Sequence, residues 1–240
     1  MNILKYFLYK YSFLFRFLRD IKTYDNMKRI KTVIVENGES HEFCFRDIDK
    51  IKNVKARFKG ILNKTNQLII ELPQTKKLKI VIFFQGSDNV IKFGSNCSGK
   101  WGFGLYQYGN KCTVGHETTN SGVVHTTLVN NELIIGKNCM FSTEIRIIGD
   151  GHSVLSWPTK EVLNEPKNHI LIGNHCWIGE KVILTKNAQV PNDCIVGIAS
   201  VVTKKFDEEH CVLAGAPAKI VKHDITWHGL APKEYKKQYN

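Results

Sequence analysis

The sequence predicts an all-β chain wound as a coil of very short parallel strands, and three observations carry that expectation. Aliphatic residues recur every six positions: blocks begin at Ile135, Phe141 and Ile147, then at Ile172, Ile178, Leu184, Val190 and Val196, with Val202 starting another. A fixed period held across consecutive blocks marks a stacked repeat whose turns bury their apolar faces only against each other. The fifth position of the later blocks holds Cys176, Val182, Ala188, Cys194 and Ser200, all small or medium, as a corner where backbones converge requires. Between residues 50 and 93, short β-branched runs ("LIIEL", "LKIVIFF", "NVIKFG") alternate with breaks such as "NKTN" and "GSDN", and no helical pattern separates them.

Taken in order, residues 1–49 form an amphipathic helix and lead-in. Ile3, Leu4, Phe7, Leu8, Tyr11, Leu14, Phe15 and Leu18 fall at helical spacing, with Lys5, Lys10, Arg16 and Arg19 mostly elsewhere around the helix. Such a helix packs on the domain or a neighbouring subunit, or lies against an anionic membrane. Residues 50–221 form the coil. In the earlier blocks the fifth positions are Cys139, Ile145 and Gly151, after which the register stops at His152 and resumes at Ile172. The stretch 153–169, "SVLSWPTKEVLNEPKNH", is therefore a loop leaving the coil. Residues 222–240 form a short helical tail.

Composition narrows the partners. The chain has 240 residues, 34 Lys and Arg against 22 Asp and Glu, and a formal charge of +12, with the excess concentrated at both ends. A chain this basic suits an anionic partner. It carries no zinc-finger spacing, aromatic strand motif or helix-turn-helix pattern, which argues against nucleic acid. Seven scattered cysteines without CxxC pairs point to a reducing compartment and not to a disulfide framework or zinc knuckle. The charges of the first twenty residues interrupt any apolar span of transmembrane length, so a cytoplasmic location is expected.

"IGNHCWIG", the repeats after it, "SVVTKKF" and "AGAPAKIV" at 214–221 resemble the hexapeptide-repeat acyltransferases. The resemblance covers about residues 90 to 225 and implies a left-handed parallel β-helix; the period alone does not supply the hand. "GDGHSV", the closing "KHDITW" and the Asn-rich early rungs are most similar to O-acetyltransferases of capsular and lipopolysaccharide sugars. That likeness implies acetyl-CoA as cosubstrate, no metal, a glycan or sugar acceptor and a homotrimer with sites at subunit boundaries; the net charge would suit an acidic acceptor such as a sialic-acid-containing glycan, although CoA alone accounts for much of it.

The resemblance also implies roles. His152, twenty-five residues before Trp177, is the expected general base, a task suited to a group that titrates near working pH. Asp150 could orient the imidazole from the same side of a strand, or could be a turn residue of "GDG". Trp177, outside the packing positions, walls the transfer site or packs on the 153–169 loop. Trp157, Asn164 and Glu165 are candidates to touch sugar, against an ordinary loop surface. By motif, Gly179, Ile198, Ala199, Thr203, Lys204 and Lys219 join Trp177 in holding the cosubstrate, the lysines near its phosphates. Ala199 departs from the Gly or Asn usual in the family and places a methyl where the pantetheine arm would pass.

Three other readings stand beside this one. A zinc enzyme on the same coil would need a close histidine pair five apart within the repeats, whereas His169 and His175 are six apart and His223 and His228, which are five apart, lie beyond the coil. A non-catalytic membrane or scaffold protein would use the basic terminus alone. Transfer to an amine of a nucleotide-linked sugar would call for a nucleotide-binding βαβ unit, and residues 22–90 show no such pattern.

Overall fold

The computed structural model describes residues 31–36, 39–44, 48, 51–62, 65–149, 151–164 and 169–239. They form a parallel β-solenoid of about seven turns with one sheet on each of three faces. In one representative turn, Glu132–Ile135 lies on the first face, Met140–Phe141 on the second and Ile145–Gly149 on the third. Each strand pairs in parallel with its counterparts one turn below and one above. The expected amino-terminal helix over residues 3–18 lies outside the described residues. The solenoid already includes Lys31–Glu36, which pairs with Gln67–Glu71, so strands begin well before residue 50.

The six-residue register is physical. Ile135, Phe141, Ile147, Ile172, Ile178, Leu184, Val190, Val196 and Val202 are all buried, and so are the fifth-position residues Cys139, Ile145, Cys176, Val182, Ala188, Cys194 and Ser200. Gly151 is exposed, so the register ends at the strand closing on Gly149. Turn length explains where the period is visible. Equivalent residues sit 18 apart in the upper turns, three hexads, as His175 and Asp193 do. In the lower turns they sit 23 and 21 apart, as Asn66, Asn89 and Asn110 do. The additional residues stay on longer outer strands such as Leu78–Gly86 and Gly99–Tyr106.

Corners repeat a conformation as faithfully as faces repeat a strand. Between the second and third faces Glu144, Lys181 and Ala199 all take positive φ, at 58°, 59° and 55°. The Lys181 amide donates to Thr143 O, and the Ala199 amide donates to Glu180 O, one turn apart each time. Between the first and second faces a row of small polar side chains climbs the interior. Cys97, Thr118, Cys139 and Cys176 donate to the carbonyls of Gly115, Gly136, Gly173 and Pro191 at 2.8–3.1 Å. The cysteines thus act as compact core residues that satisfy corner carbonyls.

The third corner carries a buried asparagine ladder. Asn89 donates its backbone and side-chain N–H groups to Asn66 Oδ1, both at 3.0 Å, and Asn110 repeats this on Asn89 Oδ1 at 3.0 and 2.8 Å. The Asn131 amide then donates to Asn110 Oδ1, and Asn131 Nδ2 donates to Gly149 O at 3.0 Å. The ladder ends where the coil is interrupted. At the other end of the chain Ala218–Lys222 folds back antiparallel to Val212–Gly215 before the helix Pro232–Tyr239. The expected tail, residues 222–240, starts at the end of the strand Ala218–Lys222 and contains the helix.

Two measurements test this packing. Asn89→Ala leaves the Asn110 amide without its acceptor and opens a void, and should cost about 2 kcal/mol or more in denaturant unfolding; a loss below about 0.5 kcal/mol would show that the ladder is not stabilising. Burial pushes the Cys97 and Cys211 thiols up to about 12. An unfolded thiol ionises near about 8.5, so this contribution is complete below that pH and is lost as pH rises toward the folded value. Under reductant, the melting temperature should fall above about pH 9, and Cys97→Thr/Cys211→Thr should fall less steeply.

Candidate active site

His152 stands three residues beyond Gly149, where the asparagine ladder releases the chain. The excursion that follows is a small hairpin: Leu155 bridges Val162 antiparallel, and the Leu163 amide donates to Val154 O at 2.7 Å. Asn164 closes its neck with both ends of one carboxamide. Its Nδ2 donates to His152 O at 2.9 Å and its Oδ1 accepts from the Val154 amide at 2.8 Å. The backbone on both sides of His152 is thus fixed, by Asn131 below and Asn164 beside it, while the imidazole is exposed. The structure gives Asn164 a bracing task that its sequence assignment to sugar did not foresee. Asp150 and Glu165 lie outside the described residues.

The hairpin presents an apolar surface to solvent. Val154, Leu155, Trp157, Val162 and Leu163 are all exposed, Trp157 at 85%, with the Lys160 ammonium 3.8 Å from its ring centre. A cluster of exposed large apolar side chains on a projecting arm marks a contact surface.

Trp177 begins the second-face strand Trp177–Ile178 and is 39% exposed, as its position outside the packing register requires. Its ring neighbour among the described residues is Trp227, at 6.2 Å between ring centres. Trp227 also stacks on His175 at 4.5 Å and 11°, and its indole N–H donates to His175 O at 2.7 Å. The His175 Nδ1 lies 2.7 Å from Asp193 Oδ1, one turn above. This shelf of His175, Asp193 and Trp227 behind Trp177 was missed in sequence; the closing "KHDITW" was the signal for Trp227.

The assigned residues fall into two groups. Gly179, Ile198 and Ala199 lie at the edge of the second face, on the turns of Trp177 and the one above, and Lys219 pairs with Ala214 on the returning strand of the same face. Gly179 packs against the next turn so closely that a Cβ there would meet Ile198 N and Val196 O at 2.8 Å. Ile198 is 68% exposed beside it. Ala199 holds the left-handed corner conformation that favours Gly or Asn, and its methyl lies on an exposed rim. Thr203 and Lys204 belong to the other group. Gln189 bridges Lys205 and its amide donates to Lys204 O, which places them on the corner between third and first faces, above the excursion that carries His152. In one chain the His152 corner, between the third and first faces, lies opposite the second face that carries Trp177.

Among the described residues no group of three or more His, Cys, Asp and Glu is placed to hold a metal ion, and no helix is long and apolar enough to cross a membrane.

No protein-family model matches the chain. It is 29% identical over 120 residues to the polysialic acid O-acetyltransferase of Escherichia coli O1:K1, across 50% of this chain and 38% of that protein. It is 25% identical over 147 residues to WbbJ of Escherichia coli K12, provisionally named as a lipopolysaccharide biosynthesis O-acetyl transferase, across 57% of this chain and 73% of that protein. The chain therefore spans well under half the length of the first of these relatives. The crystal structure of the polySia-specific acetyltransferase NeuO shares the fold, with a TM-score of 0.64 at 23% identity over 88% of this chain and 95% of that one. By repeat and by likeness to a solved structure the chain is a left-handed parallel β-helix, and over about half of its length it is similar in sequence to a polysialic acid O-acetyltransferase.

Proposed function

We propose that the chain transfers an acetyl group from acetyl-CoA to a hydroxyl of a bacterial surface glycan or its precursor, with His152 as general base. The observation that carries this reading is the placement of His152: an exposed imidazole on a backbone held by Asn131 and Asn164, at the one break in the repeating upper turns. The relatives' names supply the acceptor class.

A sugar hydroxyl is a weak nucleophile at neutral pH. His152 takes its proton as the oxygen attacks the thioester carbonyl carbon, a backbone N–H stabilises the negative charge developing on the carbonyl oxygen, and the C–S bond breaks. The proton held by His152 then goes to the departing thiolate, so the products are an acetyl ester and CoA. Asp150 is proposed to orient the imidazole, and Trp157 and Glu165 to meet the sugar.

The chain's outer surface suits the cosubstrate. Exposed Ile198 and half-exposed Trp177 offer apolar contacts for a pantetheine arm, backbone groups at Gly179, Ile198 and Ala199 line the same edge, and exposed Lys219, Lys204 and Thr203 offer partners for phosphate. These lie on two edges of the prism. A homotrimer that places the His152 corner of one copy against the Trp177 edge of the next unites them, and the apolar hairpin supplies surface for that contact. The amine-acceptor reading gains nothing here, because described residues between 31 and 93 are largely strands of the coil and not a nucleotide-binding unit. A cytoplasmic setting, where acetyl-CoA is available, fits the reading, with the basic amino-terminal segment resting on the anionic inner membrane surface.

Wild-type protein and His152→Ala incubated with acetyl-CoA and a panel of neutral and sialylated glycans, reading free CoA and the acetyl mass increment, test the assignment. Wild type should acetylate at least one glycan, and the variant, with an unchanged melting temperature, should be roughly 100- to 10,000-fold slower. A variant within about tenfold of wild type would remove His152 as the base.

A further inference from the structure

The third face, below the turn of His152, carries a groove of about 650 Å3 that none of the roles above uses. Its floor is formed at Gly102 and Gly104, where the absent side chains let the rings of His125 and Tyr106 lie close against the sheet. The His125 ring lies over Gly102, with Nδ1 3.1 Å from where a Cβ would stand. Phe83 forms one wall and contacts Tyr106, with ring centres 5.7 Å apart.

The other side of the groove is cationic. Lys55 is paired in register with Lys79, and Lys79 with Lys100, so three ammonium-bearing side chains stack on consecutive turns about 4.8 Å apart, with Arg57 beside them. Like charges directly opposite on neighbouring strands destabilise a sheet. Among the described residues none of these four cations has an ion-pair partner. A second depression of about 420 Å3 shares Val123 and His125 with the groove and continues up the same face past Arg146 to Lys181, with Glu144 as the carboxylate on its rim. The strand Ile145–Gly149, which leads to His152, belongs to this face.

The geometry points to this face as the binding groove for an acidic glycan chain, a polymer with carboxylates spaced along it, whose hydroxyls are led to His152. The occupant follows from the surface. A column of cations that have no ion-pair partner among the described residues needs several negative charges in line, which a single small anion does not supply. The ring-lined floor and wall, His125, Tyr106 and Phe83, fit the flat apolar side of a sugar ring. A hydrated inorganic polyanion would gain nothing from that wall. The inference rests on the transferase reading for its direction toward His152, but the groove itself is testable without turnover.

The full chain is titrated with a sialic acid oligomer of about ten sugars, a neutral dextran oligomer of the same length and an inorganic polyphosphate of matched charge, each at low and moderate salt. The expected result is selective binding of the sialic acid oligomer, weakened by salt, with at least about tenfold loss in Lys79→Gln/Lys100→Gln at unchanged melting temperature. Equal binding by the variant, equal binding of dextran, or equally tight binding of polyphosphate would overturn the assignment. Maleimide labelling of Lys79→Cys in the native protein provides a separate check. Ready labelling supports an open groove, and protection in an oligomer would show that a second copy covers this face. Binding without acetyl transfer to any glycan would leave the groove standing and remove the transferase reading, and transfer to sialylated acceptors without such binding would do the reverse.

Discussion

Everything in this molecule depends on each turn of the coil finding its hydrogen-bond partners in the turns above and below. A strand such as Met140–Phe141 or Trp177–Ile178 is two residues long and has no stability of its own. It exists because Met140 pairs with Trp177 and Trp177 with Ile195, in a register that every turn must copy. Register fixes which side chains point inward, and that in turn demands an aliphatic residue at the face centre and a small one at the corner. It also fixes the corners, where even Glu144, Lys181 and Ala199 accept a left-handed backbone to keep the turns in step.

The same constraint decides where chemistry can sit. Inward positions are committed to packing, so function is left with outward positions on the faces and with chain that leaves at a corner. The excursion before His169 uses the second freedom: between Cys139 and Cys176 the chain takes 37 residues where the next turn takes 18, yet the strands on either side remain paired. The groove uses the first freedom, since Lys55, Lys79 and Lys100 occupy outward positions whose identity packing does not restrict. Rigid turns then hold these outward groups at fixed spacing, which is the preorganisation that binding and proton transfer both require.

How much of this was legible depends on turn length. From Ile172 to Val202 each turn is three hexads, so the period is written directly in the chain and every inward residue could be named. In the lower turns the longer strands blur the period. The asparagines at 66, 89, 110 and 131 are visible as an Asn-rich stretch, but their stacking emerges only when the turns are wound. His175 and Asp193 are one turn apart and could have been paired from the period; Trp227 could not, because it arrives from a tail outside the repeat. Asn164 was read as a sugar contact because loops carry function; the bonds of its carboxamide to the backbone beside His152 were not legible in the sequence. Local sequence does not show that an amide ties a loop shut.

On the proposed reading, the base and the indole wall, held apart on one prism, act together across a boundary between copies. Mixed oligomers of His152→Ala and Trp177→Ala chains, formed by co-expression and verified by mass, test it directly. Each variant alone should be nearly inactive, and the mixture should recover roughly a quarter of wild-type transfer, the fraction of boundaries that join an intact His152 to an intact Trp177. Mixed oligomers as inactive as either parent would show that the two residues do not serve one site across a boundary, and the account would fail there.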